Sequence, residues 1–361
     1  MYKSQAVADA SATGAARYYP PTRTGLRGSH PGAFETAHAL ARGGQSFPAG
    51  RQIDEAYDLV VVGAGISGLA TAYFYRQQHG PDTRILLLDN HDDFGGHAKR
   101  NEFHEGGAMQ LAWGGTVNIE HWKYSEVGNR LLRELGIDIE RLLADFDYDW
   151  GGSGTGLDTG TWFDAASYGR DVLVREFGSP DALLADLRAA IPQMPMAPET
   201  LDAFLRFVDA EDDLLDGMSG EERLAWARSI SYADFLRDHA GLPDEAVEFF
   251  GMSMMGYWGP RIEHLSAAEC VWTGLPGNHL LHLPLEGDSA DNEPVSAMFP
   301  DGNASIARLL VRALIPDAFP GMPAGRDPFD IVTADLHYER LDDGRNPVRL
   351  RLNSTVLHVE N

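Results

Sequence analysis

The stretch Tyr57-Asp58-Leu59-Val60-Val61-Val62-Gly63-Ala64-Gly65-Ile66-Ser67-Gly68-Leu69-Ala70, followed by Ile85-Leu86-Leu87-Leu88-Asp89, reads as strand, tight turn, helix and second strand. Leu59 to Val62 is a continuous apolar run of the kind carried by a strand buried on both faces, and Leu69 to Arg76 continues as a helix. Gly63 allows the turn, Gly65 lets the backbone approach a pyrophosphate, and Gly68 permits close packing of helix on strand. The N–H groups at Ile66 and Ser67 then meet the negative charge at a helix N-terminus. Asp89 ends the second strand about 20 residues on, where a carboxylate accepts ribose hydroxyls. A 2'-phosphate there would meet like charge, which argues against NADP. A GxGxxG alone could be an ordinary turn; here strand, helix, second strand and terminal acid agree.

The continuation Asp89-Asn90-His91-Asp92-Asp93-Phe94-Gly95-Gly96-His97-Ala98 separates FAD from NAD. An acid, five spacers and a Gly-Gly pair resemble the extended fingerprint of the flavin amine oxidase type. Asp89 stands where glutamate is usual and keeps the ribose contact, whereas His97 replaces an arginine that often touches phosphate.

Four segments together narrow the resemblance. They are Arg27 to Gly32, the Gly63 fingerprint, Asn90 to Phe103, and Phe299-Pro300-Asp301-Gly302-Asn303-Ala304-Ser305-Ile306-Ala307-Arg308. They resemble the bacterial spermidine dehydrogenase family over nearly the whole chain. The resemblance implies an FAD enzyme that oxidises a polyamine C–N bond by hydride transfer to flavin, with a b-type haem as electron relay in characterised relatives. Family members continue past the equivalent of Asn361 with more of the FAD sheet and substrate pocket. The expectation is therefore a discontinuous Rossmann-like FAD domain that is incomplete in this chain, and a second chain that completes it in a heteromer. Two alternatives stay open: a flavin oxidase of another amine or amino acid, and a non-catalytic FAD-binding or scaffold subunit of a two-chain assembly.

The 361 residues carry a formal net charge of -25, and the sequence pI is near 4.7. Nucleic acid is disfavoured, since its phosphates call for Lys and Arg. A cationic substrate is compatible, although an acidic surface also serves solubility alone. No run of about 18 apolar residues occurs, so no membrane span is expected. Met1 to Ala16 lacks a basic start and an apolar centre. Family members often carry a twin-arginine export signal, so the expectation is a mature periplasmic form or a cytoplasmic bacterial protein. Cys270 is the only cysteine, which excludes an intrachain disulfide, a cysteine-held iron-sulfur cluster and a covalent c-type haem.

Along the chain, residues 1–52 read as an arm that wraps the body, and 53–118 as the first part of the FAD domain. Within the latter, Ala112-Trp113-Gly114-Gly115-Thr116 forms a small-residue passage able to run beside a flavin. Residues 119–298 read as a mainly helical substrate or cap domain, with Val127, Leu131, Leu132 and Leu135 at helical spacing and Ser231 as a helix cap. Residues 299–361 read as the return to the FAD and substrate domains. Asn303 is expected to cap a helix, and 330–334, 348–352 and 354–359 to form antiparallel strands. In FAD enzymes of this type the residue equivalent to Val356 contacts adenine.

Amine oxidation by flavin needs orientation more than acid–base machinery. A polyamine pocket pairs carboxylates with ammonium groups and aromatics with methylenes. The candidates are Glu102, Glu105, Glu120 and Asp301, with Trp113, Tyr257 and Trp258. Each taken singly also suits a surface acid or a core aromatic. For an axial ligand to haem b, His30 ranks ahead of His38, with His279 and His282 behind; the alternative for His30 is a turn histidine bonded within its own loop.

Overall fold

The structure is a computed structural model that describes residues 18–24, 28, 30–48, 50, 52–146, 160–175, 184–285 and 295–360. Arg27 and Ser29 of the family-like arm segment lie outside the described residues. Seven strands occur among those described: β1 Leu59–Val62, β2 Ile85–Leu88, β3 Arg100–Glu105, β4 Ala108–Trp113, β5 Gly160–Phe163, β6 Val172–Arg175 and β7 Val348–Arg351. The chain divides into two compact units, one of residues 1–146 with 294–361 and one of residues 147–293.

In the first unit, β1, β2 and β7 form a parallel sheet in that order, with Leu59 opposite Ile85 and Ile85 opposite Val348. The helices Ile66–His79 and Ala304–Leu314 pack on one another, and the buried Leu69, Ala72, Leu310 and Val311 share one core with Val61, Ile85, Leu87, Val348 and Leu350. This is a Rossmann-like α/β arrangement, discontinuous in sequence because β7 follows the second unit. β1, however, is not buried on both faces. Val61 is 9% exposed, but Val60 and Val62 are 51% and 63% exposed, because the described residues cover only one face of β1.

Three strand expectations need correction. The run 348–351 does form a strand, but it pairs in parallel with β2. Alternation of Val348 and Leu350 with Arg349 and Arg351 marks a strand with one apolar face and says nothing about the partner's direction. Arg349 and Arg351 instead pair with Glu55 and Asp342. Residues 328–332 form a 3-10 turn, because Pro328 sits at its first position and the Asp327 carboxylate accepts from the Phe329 N–H. Residues 354–359 have no ladder, although Ser354 N–H still donates to the Asp89 carbonyl at 2.8 Å.

Asn303 precedes the Ala304–Leu314 helix, but its side chain does not cap it. Its Nδ2 donates to Thr116 Oγ1 and the Asn118 carbonyl, each at 3.2 Å, and so braces the passage after β4. Among the described residues of this unit the antiparallel ladder is the β3–β4 hairpin, with Arg100 opposite Trp113, and Ile119 makes a single antiparallel bridge to Ala297.

The expected boundary at residue 119 falls instead after Phe146. Leu131, Leu132, Leu135 and Leu142, on and beside the helices Glu126–Glu134 and Ile139–Asp145, join the core of the first unit.

The described residues of the second unit are mainly helical, with the β5–β6 hairpin alone in strand. Phe204, Phe207, Tyr232, Phe235 and Phe250 form the heart of its core. Ser231 caps its helix as its position predicts, accepting from Asp234 N–H at 3.0 Å. Cys270 is fully buried, and burial pushes its thiol up to about 12. His279 bonds the Phe207 carbonyl through Nε2 at 2.9 Å, while His282 Nδ1 lies 3.5 Å from Asp213. His282 Nε2 also bonds the His279 carbonyl at 3.0 Å, so both rings are held by contacts within the protein. Among the described residues no group of three His, Cys, Asp or Glu is placed to hold a metal, and no helix is long and apolar enough to cross a membrane.

Candidate cofactor site

The turn between β1 and the Ile66–His79 helix is closed by Gly63 N–H, which donates to the Leu88 carbonyl at 2.7 Å and ties together the C-terminal ends of β1 and β2. A Cβ on Gly68 would lie 2.0 Å from the Gly63 carbonyl oxygen and 3.2 Å from Val61 Cγ1, so only glycine lets the helix come this close. No side chain caps the helix at Gly65. The first-turn N–H groups of Ile66, Ser67 and Gly68 are thus left as donors for an anion.

Asp89, 9% exposed, stands at the end of β2. Its Oδ2 accepts from Ala64 N–H at 2.7 Å and its Oδ1 from His91 N–H at 2.9 Å. Each oxygen keeps a further lone pair for a ribose hydroxyl. The segment after β7 runs alongside: Asn353 N–H donates to the His91 carbonyl and Ser354 N–H to that of Asp89, both at 2.8 Å. The half-buried Val356 follows two residues later.

The second glycine pair crosses the first. Gly95 N–H donates to the Ala64 carbonyl at 2.8 Å, Gly65 and Gly95 form a parallel bridge, and a Cβ on Gly96 would lie 3.1 Å from Gly65 Cα. His97 is exposed and Ala98 buried beyond this crossing. The chain then meets the passage after β4: Gly114 N–H donates to the Lys99 carbonyl and Thr116 N–H to that of His97, both at 2.9 Å. A Cβ on Gly115 would stand 1.7 Å from the His97 oxygen. One region of the first unit therefore brings together the glycines, Asp89, and the 97–98 and 114–116 segments. Asn90 is the exception, because its side chain turns away to donate to the Ala33 carbonyl. These residues fit FAD: the cradle is free of side chains, the helix donors face it, and an acid stands at the ribose position.

The proposed amine-binding acids fare differently. Glu102 and Asp301 are 4% and 0% exposed, and Arg100, itself 3% exposed, pairs with both. Arg100 Nη1 donates to Asp301 Oδ2 at 2.7 Å, and its Nε donates to Glu102 Oε1 at 2.9 Å. Tyr19 Oη donates to Glu102, and Ser305 Oγ to Asp301, each at 2.7 Å. Burial opposes the charge on Glu102, but Arg100, Tyr19 and Arg308 outweigh it and hold the carboxyl below its usual range. Both acids are thus interior ion-pair members rather than the wall of an amine pocket. Glu105 is exposed at the hairpin end, and Glu120 pairs with Lys123 at 3.5 Å. Trp113 is 49% exposed at the end of β4. Tyr257 and Trp258 belong to the second unit, 69% and 46% exposed.

The two arm histidines proposed as haem ligands make local contacts. His30 Nε2 lies 3.3 Å from Asp92 Oδ1 and the ring meets His91 edge-on at 5.8 Å, while Nδ1 is buried without a hydrogen-bond partner. His38 packs against Phe34 at 5.0 Å. Arg100 belongs to no cofactor or substrate motif in the sequence, yet it joins both acids. Its spacing of two from Glu102 places both on one face of a strand, a signal that was available.

Residues 61–135 match the sequence family described as NAD(P)-binding Rossmann-like domain. No curated protein sequence matches the chain. Among solved structures, a triple mutant of putrescine oxidase, from a redesign of its cofactor binding, is similar over 72% of this chain and 49% of its own, with 19% identity and a TM-score of 0.33. A single mutant from the same redesign gives the same coverage, with 18% identity and a TM-score of 0.34. The chain thus spans about half the length of these structures.

Proposed function

We propose that the chain carries the nucleotide-binding part of an FAD-dependent amine oxidoreductase that oxidises a C–N bond of a polyamine such as spermidine and passes the electrons to an external acceptor. The observation that carries the cofactor half is the crossing of Gly95–Gly96 over Gly65 at an uncapped helix N-terminus, with Asp89 beside it. The amine half rests on the four family-like segments.

When bound, FAD supplies a hydride acceptor for the amine carbon. The protein's part is to hold it. The N–H groups of Ile66, Ser67 and Gly68 take the pyrophosphate, and Asp89 accepts from the ribose and repels a 2'-phosphate. Ala98 and the 114–116 segment would give the flavin half a wall of backbone and small side chains, with the exposed His97 beside it. The charge of -25 favours the approach of a cation over long range.

Anaerobic addition of spermidine to the FAD-loaded protein is expected to bleach the flavin absorbance. Bleaching by a different amine or an amino acid alone would move the substrate assignment to that compound. No bleaching by any amine with the complete assembly would overturn the catalytic reading in favour of an FAD-binding subunit, and a Soret band in the same spectrum would report haem directly.

Among the described residues no strand pairs with the outer edge of β1, and this, with the exposed Val60 and Val62, supports a partner polypeptide that completes the cofactor domain. Native mass spectrometry is expected to give a complex larger than one chain. A species of 39.5 kDa plus FAD and nothing else would overturn that part of the proposal.

A further inference from the structure

We infer that the N-terminal arm is a clasp on the adenosine half of the cofactor site, in which His30 and Asp92 are positioning residues for the ribose-binding carboxylate of Asp89. The inference rests on the FAD reading above and adds to it a part of the chain outside the glycine fingerprint.

Three consecutive residues after Asp89 are gripped by the arm. The Asn90 side chain donates to the Ala33 carbonyl. The His91 ring lies edge-on to His30, and a Cβ on Gly28 would come within 3.6 Å of His91 Cε1. Asp92 draws the most contacts: Tyr18 Oη donates to its carbonyl at 2.5 Å, Arg23 Nη1 reaches Oδ2 at 3.3 Å and His30 Nε2 reaches Oδ1 at 3.3 Å.

Asp92 is only 3% exposed. A carboxylate buried to that degree is tolerated where donors or cations meet it, and the arm brings one of each kind to its two oxygens. The conformation of the 90–92 loop is therefore tied to the arm being in place. Within that loop, the backbone N–H of His91 is one of two donors orienting Asp89, the other being Ala64 N–H. The path runs from His30 through Asp92 to His91 N–H and then to the Asp89 carboxylate, and its effect falls on the ribose.

The pyrophosphate is held separately by the helix N-terminus, which makes the inference testable by ligand choice. His30→Phe keeps a ring and removes the donor; Arg23→Gln, at a side chain 57% exposed, is a milder second variant. Both are measured by calorimetry with FAD, ADP and inorganic pyrophosphate as probes. The expected result is a weakening of FAD and ADP by about tenfold in His30→Phe, with pyrophosphate unchanged. His30→Gln, which restores a donor, is expected to recover most of the loss. Unchanged ADP affinity in both variants would overturn the inference, and so would an equal loss for pyrophosphate, which would mark general loosening. A native protein that binds neither FAD nor ADP would overturn the FAD reading itself, and the clasp with it.

Discussion

Gly68→Ala is expected to abolish retention of FAD and to lower the stability of the first unit. The added Cβ would stand 2.0 Å from the Gly63 oxygen, 3.1 Å from the Gly63 carbonyl carbon and 3.2 Å from Val61 Cγ1. No real Cβ tolerates the first of these, and the atom it meets is backbone. Relief requires the Ile66–His79 helix to lift away from β1. Overpacking of this kind costs about 1–3 kcal/mol. The larger effect is on binding, because the lifted helix carries the first-turn N–H groups with it. Each charge-assisted bond to phosphate is worth about 1.5–3 kcal/mol, so misplacing even one weakens FAD on the order of a hundredfold. Gly63→Ala provides a contrast. Gly63 has φ 96°, and nothing lies within 4 Å of its would-be Cβ, so the penalty there is backbone strain without a collision. Flavin content after purification and a thermal melt together check the prediction. Stoichiometric flavin in Gly68→Ala would mean that the helix does not need to sit this close.

The difference between these glycines also explains what the sequence could reveal. The turn from Gly63 to Gly68 was legible because its constraints act within a few residues. The same holds for Ser231, whose hydroxyl meets an N–H three residues away. The apolar run of β1 marks a strand but does not tell that only one of its faces is covered. Four apolar residues look alike whether one face of the sheet is covered or both, and the exposure of Val60 and Val62 depends on what else is present. The direction of β7 was illegible for a related reason, since alternation records one buried face and not the partner. The turn at Pro328 was available from the Asp-Pro pair that opens it, yet the apolar Ile331 and Val332 masked it. Least legible were the roles of Glu102 and Asp301. They lie far apart in the chain and meet only through Arg100, so as isolated acids they resembled ligands for an amine.

That meeting supports the second large effect: Arg100→Met is expected to destabilise the first unit by about 3–5 kcal/mol, the range for a buried pair that loses one partner. Arg100 is 3% exposed and also donates to the Val332 carbonyl at 2.8 Å, so it joins β3 to the segments at 301 and 332. Burial opposes its charge, but Asp301 and Glu102 outweigh burial and keep the guanidinium protonated. Methionine fills much of the space but leaves two interior carboxylates without their cation. The predicted drop in melting temperature is roughly 10 °C at neutral pH. Acid should narrow it, and the sign follows from Glu102. In the native protein its folded pKa lies below the ordinary carboxyl value, so its contribution is present above the unfolded pKa of about 4.3 and is lost as pH falls through the folded one. In Arg100→Met the main lowering influence is gone and burial pushes the same carboxyl up, so it takes a proton more readily in the folded state. The gap between native and variant melting temperatures should therefore be smaller at pH 4 than at pH 7. Adding Glu102→Gln to Arg100→Met should recover part of the loss at pH 7, because it removes a stranded charge while keeping an acceptor for Tyr19 Oη. A gap that is equal or wider at pH 4, with no recovery in the double variant, would mean that Arg100 acts through its packing and its bond to Val332 rather than by neutralising buried acids.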